Sequence, residues 1–235
     1  MTGESTPSLP ESVEDLLTKL GQLKNEVTRQ LVDAWQADGG QVFSTDLVAL
    51  GVARRTYALV DGFGELVRAR NALCCGALLR LQLDTAMRFF ACRLVDNPGT
   101  IALALLDDSL GKVRSRDGKP MTDCYLHHEL SKQYGEWVSR VYRSTSAFVH
   151  FTGRAMLDAS IQHDAETGFE TVSLEGPGRV WTESEMVEMV SAFAESVNVT
   201  VDLLRSWSST KSLGAELRAT SVELKHQGEQ GSGRS

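Results

Sequence analysis

The stretch RSTSAFVH, residues 143–150, sets Arg143 and His150 seven positions apart with small hydroxyl-bearing residues between them. Seven residues make almost two helical turns, so on a helix both side chains leave one face, roughly 10 Å apart along the axis. Imidazole, with an ordinary pKa of about 6.5, can take up or release a proton near neutral pH. A guanidinium keeps its charge and holds oxyanions through paired hydrogen bonds. The pair has the makings of a reaction centre, provided that something presents it to a substrate.

Placed on a wheel at about 100° per residue, residues 134–150 separate into two faces. Trp137, Phe148, Val141, Tyr134, Val138, Val149 and Tyr142 fall inside an arc of roughly 140°, which predicts the buried face. Glu136, Ser139, Arg143, Ser146 and His150 share a separate arc of roughly 80°, with Arg140 and Ser144 towards one flank. Every amphipathic helix has a polar side, so plain solvation or the capping of a neighbouring helix end is one reading of this stripe. The other is a working surface: Lys and Glu usually fill a solvated face, whereas serines cost helix stability and leave room for a helix or ligand to approach.

The remaining chemistry-bearing residues are weaker candidates. Arg80 and Asp84 stand one turn apart on the most apolar segment, where they can pair along one face, and Arg88 continues the line. A structural ion pair is the simpler reading, and orienting the motif helix from behind is the functional one. Lys112, Arg114, Arg116 and Lys119 form a basic loop able to touch a phosphate backbone, although such loops are commonly just solvated. Cys124, His127 and His128 have partial metal-ligand spacing, but no second Cys/His cluster completes a zinc site, so no metal is expected. Gly62 and Gly64 in LVDGFGEL sit in a helical pattern and predict close helix packing rather than a phosphate loop. No nucleotide-binding motif, nucleophile elbow or paired catalytic carboxylate occurs, and no cofactor is expected.

These residues must be positioned by helices. In 235 residues with 42% hydrophobic content, a single domain is the simplest count. The formal charge of −7 argues against indiscriminate binding to polyanions. Residues 1–9 predict a mobile tail, and residues 214–235, low in apolar content, a flexible one. Between them, apolar positions at spacings of three and four predict a helix from Pro10 to Gly39-Gly40 and another from Thr45, behind Ser44 as N-cap, to about Arg70. The nearly all-apolar segment to Val95 then belongs at the centre of a bundle. A short helix over IALALL and a charged loop lead to one long helix, capped by Thr122 or Asp123 and reaching about His150. A hairpin over about 155–175 follows, and Thr182-Glu183-Ser184-Glu185 predicts the capping box of a last long helix. The expectation is an all-α bundle over residues 10–213 with a small β-hairpin insertion between its last two long helices. The opening MTGESTPSLPES has neither the basic nor the apolar region of a leader, and no apolar run spans a membrane, so a cytoplasmic protein is expected.

Arg143-x6-His150 near the end of a long helix, with the polar Ser144 following the arginine, resembles the motif of the HEPN superfamily. The segment LLRLQLDTAMRFF, with Arg80 and Asp84, is similar to the helix in HEPN-like proteins where a buried arginine precedes an acidic residue by one turn. The resemblance implies a homodimer with motif helices facing across a cleft, cutting RNA without metal. In that chemistry His150 moves the proton of a ribose 2′-hydroxyl or of the leaving 5′-oxygen, and Arg143 holds the pentacovalent phosphate. The wheel adds supporting roles for Ser144, Ser146, Ser139 and Glu136. By analogy the biological setting is a toxin or phage-defence effector, with an antitoxin as a protein partner. The alternatives are a non-catalytic helical dimer that binds a nucleotide, RNA or protein, and a helical regulator whose stripe is only its dimer seam.

Overall fold

The computed structural model describes residues 8–149, 161–163, 168, 170–172 and 181–231. Its long helices are α1 (Glu11–Gln36), α2 (Ser44–Arg68), α3 (Ala72–Phe90) and α7 (Glu183–Gly231). Shorter ones are α4 (Gly99–Leu106), α5 (Asp123–Tyr134) and α6 (Trp137–Val149). Strands β1 (Ile161–His163) and β2 (Glu170–Val172) pair antiparallel, Ile161 opposite Val172 and His163 opposite Glu170. Of the hairpin expected over about 155–175, the described residues contain only these three pairs. A ribbon of that size adds no layer, and the architecture is all-α.

Helix α3 carries the most uniformly apolar sequence and lies at the centre, packed against α2, α5, α6 and α7. It buries Cys75, Leu79, Leu83, Ala86, Met87 and Phe90, and each large side chain so buried contributes about 1.5–3 kcal/mol. Burial pushes the thiols of Cys75 and Cys92 up to about 12, which makes them inert core residues. Phe63 of α2 stacks on Phe193 of α7 with centroids 3.9 Å apart. A polar layer crosses this core: the amide nitrogen of fully buried Gln82 donates to the hydroxyls of Thr56 (3.2 Å) and Thr200 (3.1 Å), tying α3 to α2 and α7.

Helices α1 and α7 run parallel, with contacts from Ser12–Glu183 at their starts, through Arg205–Glu26, to Lys211 at the end of α1. Lys211 is the one fully sequestered cation among the described residues, its side chain 1% exposed. Its ammonium donates to the carbonyls of Ala34 (2.8 Å) and Gln41 (2.9 Å) and to both oxygens of Asp46 (3.2 and 3.1 Å). The Asp46 carboxylate also accepts from the Phe43 amide and the Trp207 indole, each at 2.7 Å. Asp46 thereby caps the start of α2, where Ser44 was expected as N-cap; Phe43 is the N-cap and Ser44 the first helical residue. Both charges also meet favourable helix ends, a cation at the C-terminal carbonyls of α1 and an anion in the first turn of α2.

Two expectations change. The long helix to His150 is two helices, because Gly135 between α5 and α6 has φ 101° and ψ 166°, a conformation essentially restricted to glycine. Helix α7 also continues to Gly231, where a flexible tail was expected from residue 214. Among the described residues, no helix is long and apolar enough to cross a membrane.

Lys211→Met is expected to lower stability by about 3–5 kcal/mol in urea unfolding, because it strands the buried Asp46 carboxylate. A milder effect is expected at the Arg205–Glu26 contact. Hydrogen bonds from Arg29 first, with Gln30 and Arg205, hold Glu26 at about 2, below its ordinary 4.5. Its ionised form therefore stabilises the fold above pH 4.5 and loses that contribution as the pH falls through about 2. The stability difference between wild type and Glu26→Gln, followed by unfolding at stepped pH, should shrink over that window.

Candidate functional site

Helix α6 lies antiparallel on α3, and glycine makes the close approach possible. A Cβ placed on Gly76 would stand 2.5–2.8 Å from ring atoms of Phe148. One turn further along α3, the Arg80 guanidinium carbon lies 4.0 Å from the centre of the Tyr142 ring. From α5 comes His127, whose ring stacks on Tyr142 with centroids 4.1 Å apart and planes 10° from parallel. Two planar groups cannot share one face of a ring at that spacing. Tyr142 is therefore sandwiched, Arg80 on one side and His127 on the other, and three helices meet through three side chains.

Electrostatics hold the joint. Arg88 donates to Asp123 at 2.6 Å and pairs with Asp84 at 3.0 Å, while Arg80 stands 4.0 Å from Asp123. Asp123 opens α5, where its charge complements the helix dipole, and the Thr122 hydroxyl accepts from the Tyr125 amide at 3.3 Å. Nδ1 of His127 lies 3.2 Å from the Asp123 carbonyl oxygen. A carbonyl only accepts, so Nδ1 carries the hydrogen, and in the neutral ring Nε2 keeps its lone pair. Arg80 is more constrained: its side chain is 12% exposed and its Nη1 is buried without a hydrogen-bond partner, so the Tyr142 ring is its main compensation.

The residues singled out from the sequence divide around this joint. Arg143 is exposed on α6, and its guanidinium has no ion-pair partner among the described residues. His150 lies outside the described residues. Ser144 and Glu136 are exposed, and the Ser144 hydroxyl donates to the Val141 carbonyl at 3.2 Å. Ser146 is half-buried and donates to the Tyr142 carbonyl at 2.7 Å. These hydroxyl protons are used within the helix, leaving oxygen lone pairs for an incoming donor.

Three readings are corrected. Ser139, placed on the polar arc, is 7% exposed, because a wheel carries no information about what packs against the helix. Tyr134, placed on the buried face of the same helix, ends α5 instead and donates to Asp202 of α7 at 2.7 Å. Arg80 does not pair with Asp84, since Arg88 takes that carboxylate and Arg80 turns to Tyr142 and Asp123. The sequence reading also passed over His127, weighed only as a metal ligand. Its place on the site depends on the α5–α6 break, for which Gly135 was the available signal.

The other candidates lie elsewhere or are otherwise occupied. Arg116 of the basic loop donates to the carbonyls of Arg93 and Val95 and pairs with Asp96 at 3.2 Å, so its charge is used on the turn that follows α3. Gly62 lies in ordinary contact distance of Leu78, 3.5 Å from its would-be Cβ, within an unbroken helix. A groove of about 520 Å³ between α1 and α2 is lined by Lys24, Tyr57, Asp61 and Arg68. Its charges pair internally, Lys24 with Asp61 and Arg68 with Glu65. Among the described residues, no group of His, Cys, Asp and Glu side chains is placed to hold a metal ion.

No protein-family model, curated protein or solved structure matches the chain.

Gly76→Ala tests the helix contact through the sign of its effect. Alanine in an open helix would add about 1 kcal/mol relative to glycine. Here the clash with Phe148 should instead cost about 1–3 kcal/mol, read as a lower urea midpoint.

Proposed function

We propose that the chain is a HEPN-like, metal-independent endoribonuclease in which Arg143 and His150 act on a phosphodiester at the surface of α6, in a cleft between two copies. The observation that carries the reading is how the arginines at the α3–α5–α6 joint are used. Arg80 and Arg88 are committed to Tyr142, Asp84 and Asp123, whereas Arg143 stands exposed on the same joint without an ion-pair partner among the described residues. A guanidinium held on a packed helix beside neutralised charges is available to an incoming phosphate. Its two parallel hydrogen bonds strengthen as charge gathers on the pentacovalent phosphorus, and this lowers the barrier to reaction.

A second copy is supported by the apolar surface at this end of the helix pair. Leu73 at the start of α3 is 49% exposed and Val149 at the end of α6 is 48% exposed. Both lie within a turn of the Gly76–Phe148 contact, where a twofold partner would cover them and bring the two α6 helices together. Metal independence agrees with the expected use of Arg and His alone. Action on RNA follows from the reaction, which needs the ribose 2′-hydroxyl as nucleophile. A role as a toxin or phage-defence effector with a neutralising protein partner, in the cytoplasm, follows from the same resemblance.

The test is cleavage of a labelled single-stranded RNA by the purified chain in excess EDTA. Wild type is expected to yield 2′,3′-cyclic phosphate and 5′-hydroxyl ends and to leave the matching DNA intact. Arg143→Gln and His150→Ala are each expected to slow cleavage by about 10²–10³-fold without lowering the unfolding midpoint. Undiminished cleavage by His150→Ala would reject the site, and RNA binding without cleavage by wild type would make the chain a binding module.

A further inference from the structure

We infer that His127 is a second proton-transferring group of the same site, supplied by the same subunit as Arg143. The inference rests on the endoribonuclease reading and extends it to a residue outside the motif. Take Tyr142 as the origin of the α6 wheel. Val138, Thr145 and Val141 then lie roughly 40–100° to one side, and Ser146, Ser139 and Arg143 roughly 40–100° to the other. The first side is turned to α3: Val138 is fully buried, Thr145 is 2% exposed, and Arg80 reaches Tyr142 from there. His127, on the opposite face of the Tyr142 ring, therefore lies on the side from which Ser139, Ser146 and Arg143 emerge. Ser139 on that side is also buried, at 7% exposed.

The ring is also prepared for proton transfer. Nδ1–H is anchored on the Asp123 carbonyl, which leaves Nε2 as the base. The charged and titratable groups that meet His127 are Asp123, whose carbonyl holds Nδ1, and Tyr142, stacked on its ring, with Arg80 on the far face of Tyr142 and Arg88 paired to Asp123. In the reaction, Nε2 of neutral His127 takes the proton of the ribose 2′-hydroxyl as the 2′-oxygen bonds to phosphorus. The bond from phosphorus to the 5′-oxygen breaks, and the departing oxygen receives its proton from the imidazolium of His150. The products are a 2′,3′-cyclic phosphate and a 5′-hydroxyl, with no net change in the protons held by the protein once water exchanges them between the two rings. His127 and Arg143 then act from one chain, and the partner copy need only complete the cleft.

His127→Phe separates this role from packing, because phenylalanine keeps a flat ring against Tyr142 but cannot titrate. The expected result is an unchanged unfolding midpoint, affinity for an uncleavable 2′-O-methyl RNA within about 2-fold of wild type, and cleavage slowed by about 10²–10⁴-fold. The bell-shaped pH profile of the wild type should lose one limb. Should His127→Phe not fold, His127→Gln is carried through the same measurements. Mixing His127→Phe with Arg143→Gln adds a readout that a structural role would not move. Mixed dimers in which no chain holds both His127 and Arg143 stay inactive under this assignment, and regained cleavage overturns it. Loss of cleavage in His150→Ala but normal rate and both pH limbs in His127→Phe overturns the assignment alone. A wild type that cuts no RNA overturns it together with the endoribonuclease reading.

Discussion

The fold hangs on a buried ammonium. Removing the charge of Lys211 from water costs several kcal/mol, and the cost is offset only if every N–H finds an acceptor. The acceptors come from the last turn of α1, the connection after it and the first turn of α2, so the α1–α2 corner and α7 can meet in only one register. That register propagates along α7. Three turns before Lys211, Thr200 meets Gln82 in the core, and two turns earlier again Phe193 stacks on Phe63. Through Gln82 the position of α3 is set as well. Arg80, two residues away and so about 200° around that helix, is then turned towards α5 and α6.

The candidate site is made by a break. On one straight helix His127 and Tyr142 would stand about 22 Å apart along the axis, yet their rings are stacked 4.1 Å apart. Gly135 accounts for the difference, since its backbone conformation is closed to residues with a side chain. Once α5 folds back, the sandwich of Arg80, Tyr142 and His127 locks the two short helices onto α3, and Asp123 gathers the neighbouring arginines. The stacking and ion pairs at this joint fix the first turns of α6 against the rest of the protein. Arg143, one residue beyond Tyr142, inherits a fixed position while its own charge has no ion-pair partner among the described residues.

The same joint shows how far the linear pattern could be read. Helical spacing, the Thr182–Glu185 capping box and the turn at Asn97-Pro98-Gly99 are local signals, and the corresponding elements form where expected because propensity, capping and apolar periodicity agree there. The nearly all-apolar α3 could only be central. Its polar exceptions were harder. Asp84 has arginines one turn away on either side, and spacing along the helix favours neither; Arg88 takes it because the Arg80 guanidinium is laid over the Tyr142 ring of another helix. The burial of Lys211 has no local signal, since nothing within its own helix announces the carbonyls that receive it.

By itself, then, the order of residues determined the helices, which face of each turns inward, and the exposed Arg143 at the end of the chemistry-bearing stretch. These depend on interactions between neighbours a few positions apart. Tertiary structure alone decided that the stretch expected as one helix folds back on itself, that Ser139 is covered, that Arg80 stacks where pairing with Asp84 was expected, and that His127 joins Tyr142. Each of those outcomes depends on which distant groups a side chain meets, and a helix wheel carries no information about its neighbours.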